Sequence, residues 1–138
     1  MSNLKILLET KVVIKLGGTS QTKSGYDLLV SKLSNNKTIV VVSAMKGVTN
    51  KLIYLVDNFK SLSTNIKTEF VRENIFEPNI KLGMELGFES LYFLENEMNY
   101  ILLLINKDKL ELQEKIILIS MGETFTAKIL DKFLGKNQ

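Results

Sequence analysis

Val12 to Leu16 (VVIKL) is a short apolar run, rich in β-branched residues and closed by two glycines, the pattern of a buried strand. After the Gly17-Gly18 loop, Tyr26, Leu29, Val30 and Leu33 recur at i, i+3, i+4 and i+7, which predicts a helix from Ser24 to about Asn35-Asn36. Thr38 to Ser43 (TIVVVS) repeats the strand pattern. Strand, helix and strand make a βαβ unit, and strands that are apolar throughout predict a parallel sheet covered on both faces.

Beyond the loop Ala44 to Thr49 the pattern becomes helical. Leu52, Ile53, Leu55, Val56 and Phe59 mark a helix with Thr49 or Asn50 available as its cap. Ser61 to Asn65 reads as a polar connector, Lys67 to Phe76 as a short helix ended by Pro78, and Ile80 to Ile105 as one long amphipathic helix. The stripe of that helix is Ile80, Met84, Phe88, Leu91, Met98, Leu102 and Ile105, with Glu95 as an exception. Asn106 to Lys109 breaks it, and Leu110 to Leu134 is mostly helical again. A βαβ head therefore precedes a helical body, without internal repeats. Two strands alone make a poor sheet, so something that completes it is expected elsewhere.

The chain has 138 residues, about one domain, which is short for an enzyme with two substrate sites. Its apolar share of 45% and charged share of 24% are those of a globular protein. The net charge is +3, and every basic residue except Arg72 is a lysine, scattered without a polybasic tract, so neither nucleic acid nor an anionic membrane is expected as a partner. There is no histidine and no cysteine, which removes the usual general base, thiolate chemistry and the commonest metal ligands. Chemistry must run on lysine, carboxylates, hydroxyls and backbone amides. Lys5, Glu9, Lys11 and Lys15 interrupt the apolar residues of the N-terminus, unlike a signal peptide, and the longest apolar run, Ile101 to Ile105, is far short of a membrane span. The expectation is a soluble, cytoplasmic protein.

Three units carry candidate chemistry. In the first, Lys15-Leu16-Gly17-Gly18-Thr19-Ser20, glycines can accept φ > 0 and let an oxyanion approach backbone N–H groups, beside a lysine at the carboxyl end of a strand. The same stretch comes within one residue of a Walker A loop, in which Lys23 would be the phosphate ligand, but Thr22 stands where the glycine before that lysine is required. The second unit, Ser43-Ala44-Met45-Lys46-Gly47-Val48-Thr49-Asn50, also follows a strand, so both loops should emerge at one end of a parallel sheet. Its hydroxyls and amides suit a carboxylate or phosphate, although Ser43 can equally close a strand and Thr49 cap a helix. The third unit is Ser120-Met121-Gly122-Glu123-Thr124 within a helical run, where glycine costs about 1 kcal/mol relative to alanine. Gly122 can admit a close neighbour and Glu123 can accept from an ammonium group, or Glu123 can simply face water.

Taken together, these units resemble, in order and approximate spacing, the N-terminal half of aspartokinases in the amino acid kinase superfamily, over about Lys11 to Leu134. The resemblance implies that residues 1–138 are the N-terminal part of an amino acid kinase domain, a partial three-layer α/β/α sandwich. It implies transfer of the γ-phosphate of Mg-ATP to the β-carboxylate of L-aspartate, giving 4-phospho-L-aspartate, the first step toward lysine, threonine and methionine. The cofactors implied are ATP and Mg2+, the substrate L-aspartate, and the assembly a homo-oligomer. Carried over residue by residue, Lys15 would stabilise the transferring phosphoryl group, and Gly17, Gly18 and Ser20 would contact phosphate oxygens. Ser43 and Thr49 would hold aspartate or its product, and Glu123 would take the substrate ammonium. No protein metal ligand is implied within these residues. Leu16 replaces the usual phenylalanine, and Met121 a frequent aromatic or histidine.

The family's kinase domain continues for about as many residues again, with a second glycine-rich segment, a metal-organising carboxylate and the nucleotide-base pocket, and regulatory ACT domains follow. None of this follows Leu134-Gly135. The expectation is that the chain alone lacks turnover and needs a C-terminal half or partner chain. A non-catalytic binding or assembly module derived from an amino acid kinase is the alternative.

Overall fold

The computed structural model describes residues 12–33 and 37–136. The alternating segment before Lys11, the start of the matching region at Lys11 and the expected helix stop at Asn35-Asn36 lie outside the described residues. Val12–Leu16 forms β1 and Thr38–Val42 forms β2, joined by helix α1, Lys23–Lys32. The strands pair in parallel, with Val12 opposite Thr38, Lys15 opposite Val41 and Leu16 opposite Val42. A single parallel register sends both strand ends to the same side, so the two candidate loops are neighbours.

Side chains alternate across the pleat, and the two faces differ. The Ile14, Leu16, Val40 and Val42 face packs toward the long C-terminal helix. The opposite face, with Val13 61% exposed and Val41 45% exposed, carries no covering layer among the described residues. That differs from the expectation of a sheet buried on both sides.

The helical body follows as α2 (Val48–Asp57), α3 (Thr64–Val71), α4 (Glu77–Glu85), α5 (Glu95–Ile105) and α6 (Leu112–Lys136). Its core includes Leu52, Leu55, Ile75, Leu94, Ile101, Leu118, Phe125 and Ile129, each fully or nearly fully buried. Each such large apolar side chain removed from water contributes about 1.5–3 kcal/mol, so the helical body carries much of the buried core.

The connector expected over Ser61 to Asn65 already enters α3 at Thr64, where the Ser63 hydroxyl accepts from the Ile66 amide, and two larger differences from the sequence reading have identifiable reasons. Pro78 does not end a helix: a π-helical stretch, Arg72–Phe76, widens the backbone ahead of it, with the Glu77 amide donating back to the Arg72 carbonyl. Pro78 then sits in the first turn of α4, where a missing N–H costs little. The Asn74 and Asn79 side-chain amides satisfy the Phe70 and Ile75 carbonyls near this turn. The proposed long helix from Ile80 to Ile105 is two helices. Gly87, at φ +94°, stops α4, with its amide donating to Met84 and that of Phe88 to Gly83, a paired C-terminal cap that a left-handed residue makes possible. The expected stripe is nevertheless spatially real. Ile80, Met84, Leu91, Met98 and Leu102 line one cavity of about 560 Å3 between the two helices.

Candidate functional site

The carboxyl ends of β1 and β2 are tied together by backbone bonds. The Ser43 amide donates to the Leu16 carbonyl at 3.2 Å, and the Lys46 amide donates to the Gly18 carbonyl at 3.2 Å. Gly18 lies so close to this second loop that a Cβ there would come within 3.1 Å of the Ala44 carbonyl oxygen. Its glycine is explained by close approach and not by handedness, because Gly47 and Gly87 are the positive-φ glycines among the described residues. The expectation of φ > 0 at Gly17-Gly18 is thereby corrected: Gly17 has φ −74° and a Cβ would meet open space there.

After Gly17 the chain enters a short 3-10 turn, Gly18–Ser20, in which the Ser20 amide turns back to the Gly17 carbonyl. The amides of Gly17, Gly18 and Thr19 have no acceptor among the described residues. Lys15 is exposed beside them, and its ammonium forms neither an ion pair nor a hydrogen bond among the described residues. Lys23 differs in kind. It opens α1 after the Thr22 cap and pairs with Asp27 one turn on, at 2.7 Å.

Two residues not singled out from the sequence hold this loop in shape. Gln21, 1% exposed, donates from its side chain to the Leu16 carbonyl and accepts from the Tyr26 hydroxyl. Burial pushes the Tyr26 phenol well above the ordinary tyrosine range. Gly25 presses on the loop from behind, where an added Cβ would lie 2.0 Å from the Ser20 carbonyl oxygen. Neither is legible from spacing, since both depend on how α1 folds back onto the loop.

In the second loop the Ser43 hydroxyl donates to the Ala44 carbonyl at 3.0 Å. Helix α2 starts at Val48 with Gly47 as its cap, at φ +85°. Thr49 and Asn50 are thus inside the helix and not its cap. A left-handed glycine lets the chain turn directly into the first helical turn, leaving the Thr49 hydroxyl without a capping role.

The third unit lies within α6 and meets the second loop directly. A Cβ on Gly122 would come within 2.8 Å of the Ala44 Cβ and 2.9 Å of a Val48 methyl. One turn further, the fully buried Thr126 donates its hydroxyl to the Ser43 carbonyl at 2.8 Å. Glu123 is exposed next to this contact, and its carboxylate makes no ion pair or hydrogen bond among the described residues. The structure therefore brings all three units to one end of the sheet. Lys15 lies near the end of β1 with Gly17, Gly18 and Ser20 on the loop that follows, Ser43 at the start of the next loop, Thr49 in the first turn of α2, and Glu123 on helix α6 behind it. Among the described residues no hydrogen bond joins the Glu123 carboxylate to Ser43 or Thr49.

A cavity of about 550 Å3 opens beside the first two loops, with Gln21, Thr22 and Met45 on one wall and Glu73, Glu77 and Lys81 on another. A hydrogen bond with the Glu69 carboxyl, and repulsion from it, push Glu73 above the ordinary glutamate range. Among the described residues no group of three or more Asp, Glu, His or Cys side chains is placed to hold a metal ion. None of the described helices is long and apolar enough to cross a membrane.

No protein-family model matches the chain. Aspartokinase 3, chloroplastic, of Arabidopsis thaliana is 30% identical over 132 residues, covering 90% of this chain and 24% of that protein. E. coli aspartokinase III, solved with aspartate and ADP in its R-state, superposes with a TM-score of 0.68 at 24% identity. That match covers 91% of this chain and 29% of the solved one. The same enzyme with lysine and aspartate in its T-state gives a TM-score of 0.68 at 21% identity. The chain thus shares sequence and an amino acid kinase fold with part of aspartokinase, and spans about a quarter of the length of the curated relative it matches.

Proposed function

We propose that this chain forms the phosphate and aspartate side of an aspartokinase-type site, which transfers the γ-phosphate of ATP to L-aspartate to give 4-phospho-L-aspartate. The observation that carries the reading is the convergence of the three units through the Gly18–Lys46, Ser43–Leu16 and Thr126–Ser43 hydrogen bonds. Lys15 supplies the positive charge that offsets charge on the transferring phosphoryl group. The free amides of Gly17 and Gly18, with the Ser20 hydroxyl, receive phosphate oxygens. Ser43 and Thr49 hold the acceptor carboxylate, and Glu123 accepts from its ammonium.

A carboxylate acceptor is ionised at neutral pH, so no general base is needed. Phosphoryl transfer asks chiefly for positioning and charge neutralisation. This suits a chain without histidine or cysteine. The donor set fits the phosphate end of ATP: an unpaired ammonium beside unpaired amides. It does not fit a protein-held Mg2+, since among the described residues no group of three or more carboxylates is placed to hold a metal ion.

In this reading the chain is the N-terminal part of the kinase domain and works together with a remainder that the aspartokinases of greater length possess. The bare Val13 and Val41 face favours a second role, as an assembly module that docks onto such a remainder. Calorimetric titration with L-aspartate tests the reading. Binding should weaken about tenfold or more in Glu123→Gln and in Ser43→Ala; affinity equal to the parent's in both variants would contradict the assignment.

A further inference from the structure

A third, separate cavity of about 320 Å3 lies where the end of α2 meets the turn between α5 and α6. Helix α2 has ten residues, so this cavity is about 15 Å from the loop where the helix begins. Lys60, Lys109 and Lys115 line it with Ser61, whose hydroxyl donates to the Asn58 carbonyl at 2.9 Å, against a single acid, Asp57. None of the three ammonium groups has an ion pair or hydrogen bond among the described residues, whereas nearby Lys107 is paired with Glu114 at 2.6 Å.

A further cation stands behind the wall. Lys67, only 4% exposed, places its ammonium 3.6 Å from the centre of the Phe59 ring, and Phe59 lines the cavity. Burial lowers the Lys67 pKa from its ordinary value, with Asp108 opposing that shift. Three lysines around a concavity with one acid on its wall raise the local positive potential, and a compact anion relieves it through charge-assisted bonds. The volume falls at the lower end of the range for small-ligand sites, about 300–1,000 Å3.

We infer that this cavity binds a small oxyanion carrying two or more negative charges, held by Lys60, Lys109 and Lys115. The inference does not depend on the kinase reading. Amide NMR titrations at constant ionic strength, with pyrophosphate and separately with citrate, test it in a Lys15→Ala background that removes the glycine-loop lysine. Saturable shifts are expected at Lys60, Ser61, Lys109 and Leu110. The combined Lys60→Gln, Lys109→Gln and Lys115→Gln variant should bind about tenfold more weakly or worse, equivalent to about 1.4 kcal/mol. Lys81→Gln, on another cavity, should leave binding unchanged. All three lysines are exposed, so the variant should keep the amide dispersion of the folded chain. A response to pyrophosphate alone identifies a phosphate ligand, to citrate alone a carboxylate, and either upholds the inference. Absence of saturation at these residues with both probes, or undiminished affinity in the combined variant, overturns it.

Discussion

The Thr126 hydroxyl donates to the Ser43 carbonyl at 2.8 Å across 83 positions of sequence, fastening helix α6 to the end of β2. Thr126 is fully buried, so the bond cannot be exchanged for one to water without opening the core. Thr126→Val should therefore cost about 1–3 kcal/mol, since it leaves the Ser43 carbonyl short of its partner, whereas Thr126→Ser should retain most of the stability. Urea unfolding of the two variants checks this. Equal losses would mean that packing of the methyl, and not the hydrogen bond, matters at this position.

Gly122 is next to that fastening and touches Ala44 and Val48. Alanine would gain about 1 kcal/mol of helix propensity but must force its methyl into contacts under 3 Å, and overpacking of this kind costs about 1–3 kcal/mol. Valine adds still more bulk. Thermal unfolding should show Gly122→Val well below the parent and Gly122→Ala between them; a Gly122→Val midpoint at or above the parent would contradict the packing assigned to this helix.

Gly17 and Gly25 should behave oppositely. A Cβ at Gly17 meets open space at negative φ, so Gly17→Ala should leave stability within about 0.5 kcal/mol. A Cβ at Gly25 would lie 2.0 Å from the Ser20 carbonyl oxygen, so Gly25→Ala must displace the loop and lower the unfolding midpoint clearly. Matching midpoints would show that the loop is not held against α1 in this way.

These contacts explain how much was legible in advance. The two strands, the parallel pairing and the convergence of their loops follow from apolar runs that each end in small residues, a local pattern. The curved path from Arg72 to Glu95 was not legible as periodicity, because a π-helical stretch and a left-handed Gly87 change direction while leaving the apolar spacing nearly intact. Within the candidate site, the residues facing the loops were readable from motif order. Gln21, Gly25 and Thr126, which support those residues, become visible only when distant segments pack together.

Tyr26 carries a pH dependence. Its folded-state pKa is raised by burial, so the phenol contributes stability fully present below the unfolded-state value of about 10 and lost as pH rises toward the folded-state value. Stability measured by urea midpoint should fall above about pH 10, and less steeply in Tyr26→Phe. An unchanged slope in that variant would mean that another group governs the alkaline loss.

Lys15, and not Lys23, is proposed as the phosphate lysine. Titrating the chain with ATP while following the amides of Gly17, Gly18 and Thr19 tests it most directly. Saturable shifts are expected at these three amides, weakened about tenfold or more by Lys15→Ala and unaffected by Lys23→Ala, whose side chain is already paired with Asp27. Loss in Lys23→Ala with retention in Lys15→Ala would contradict the account.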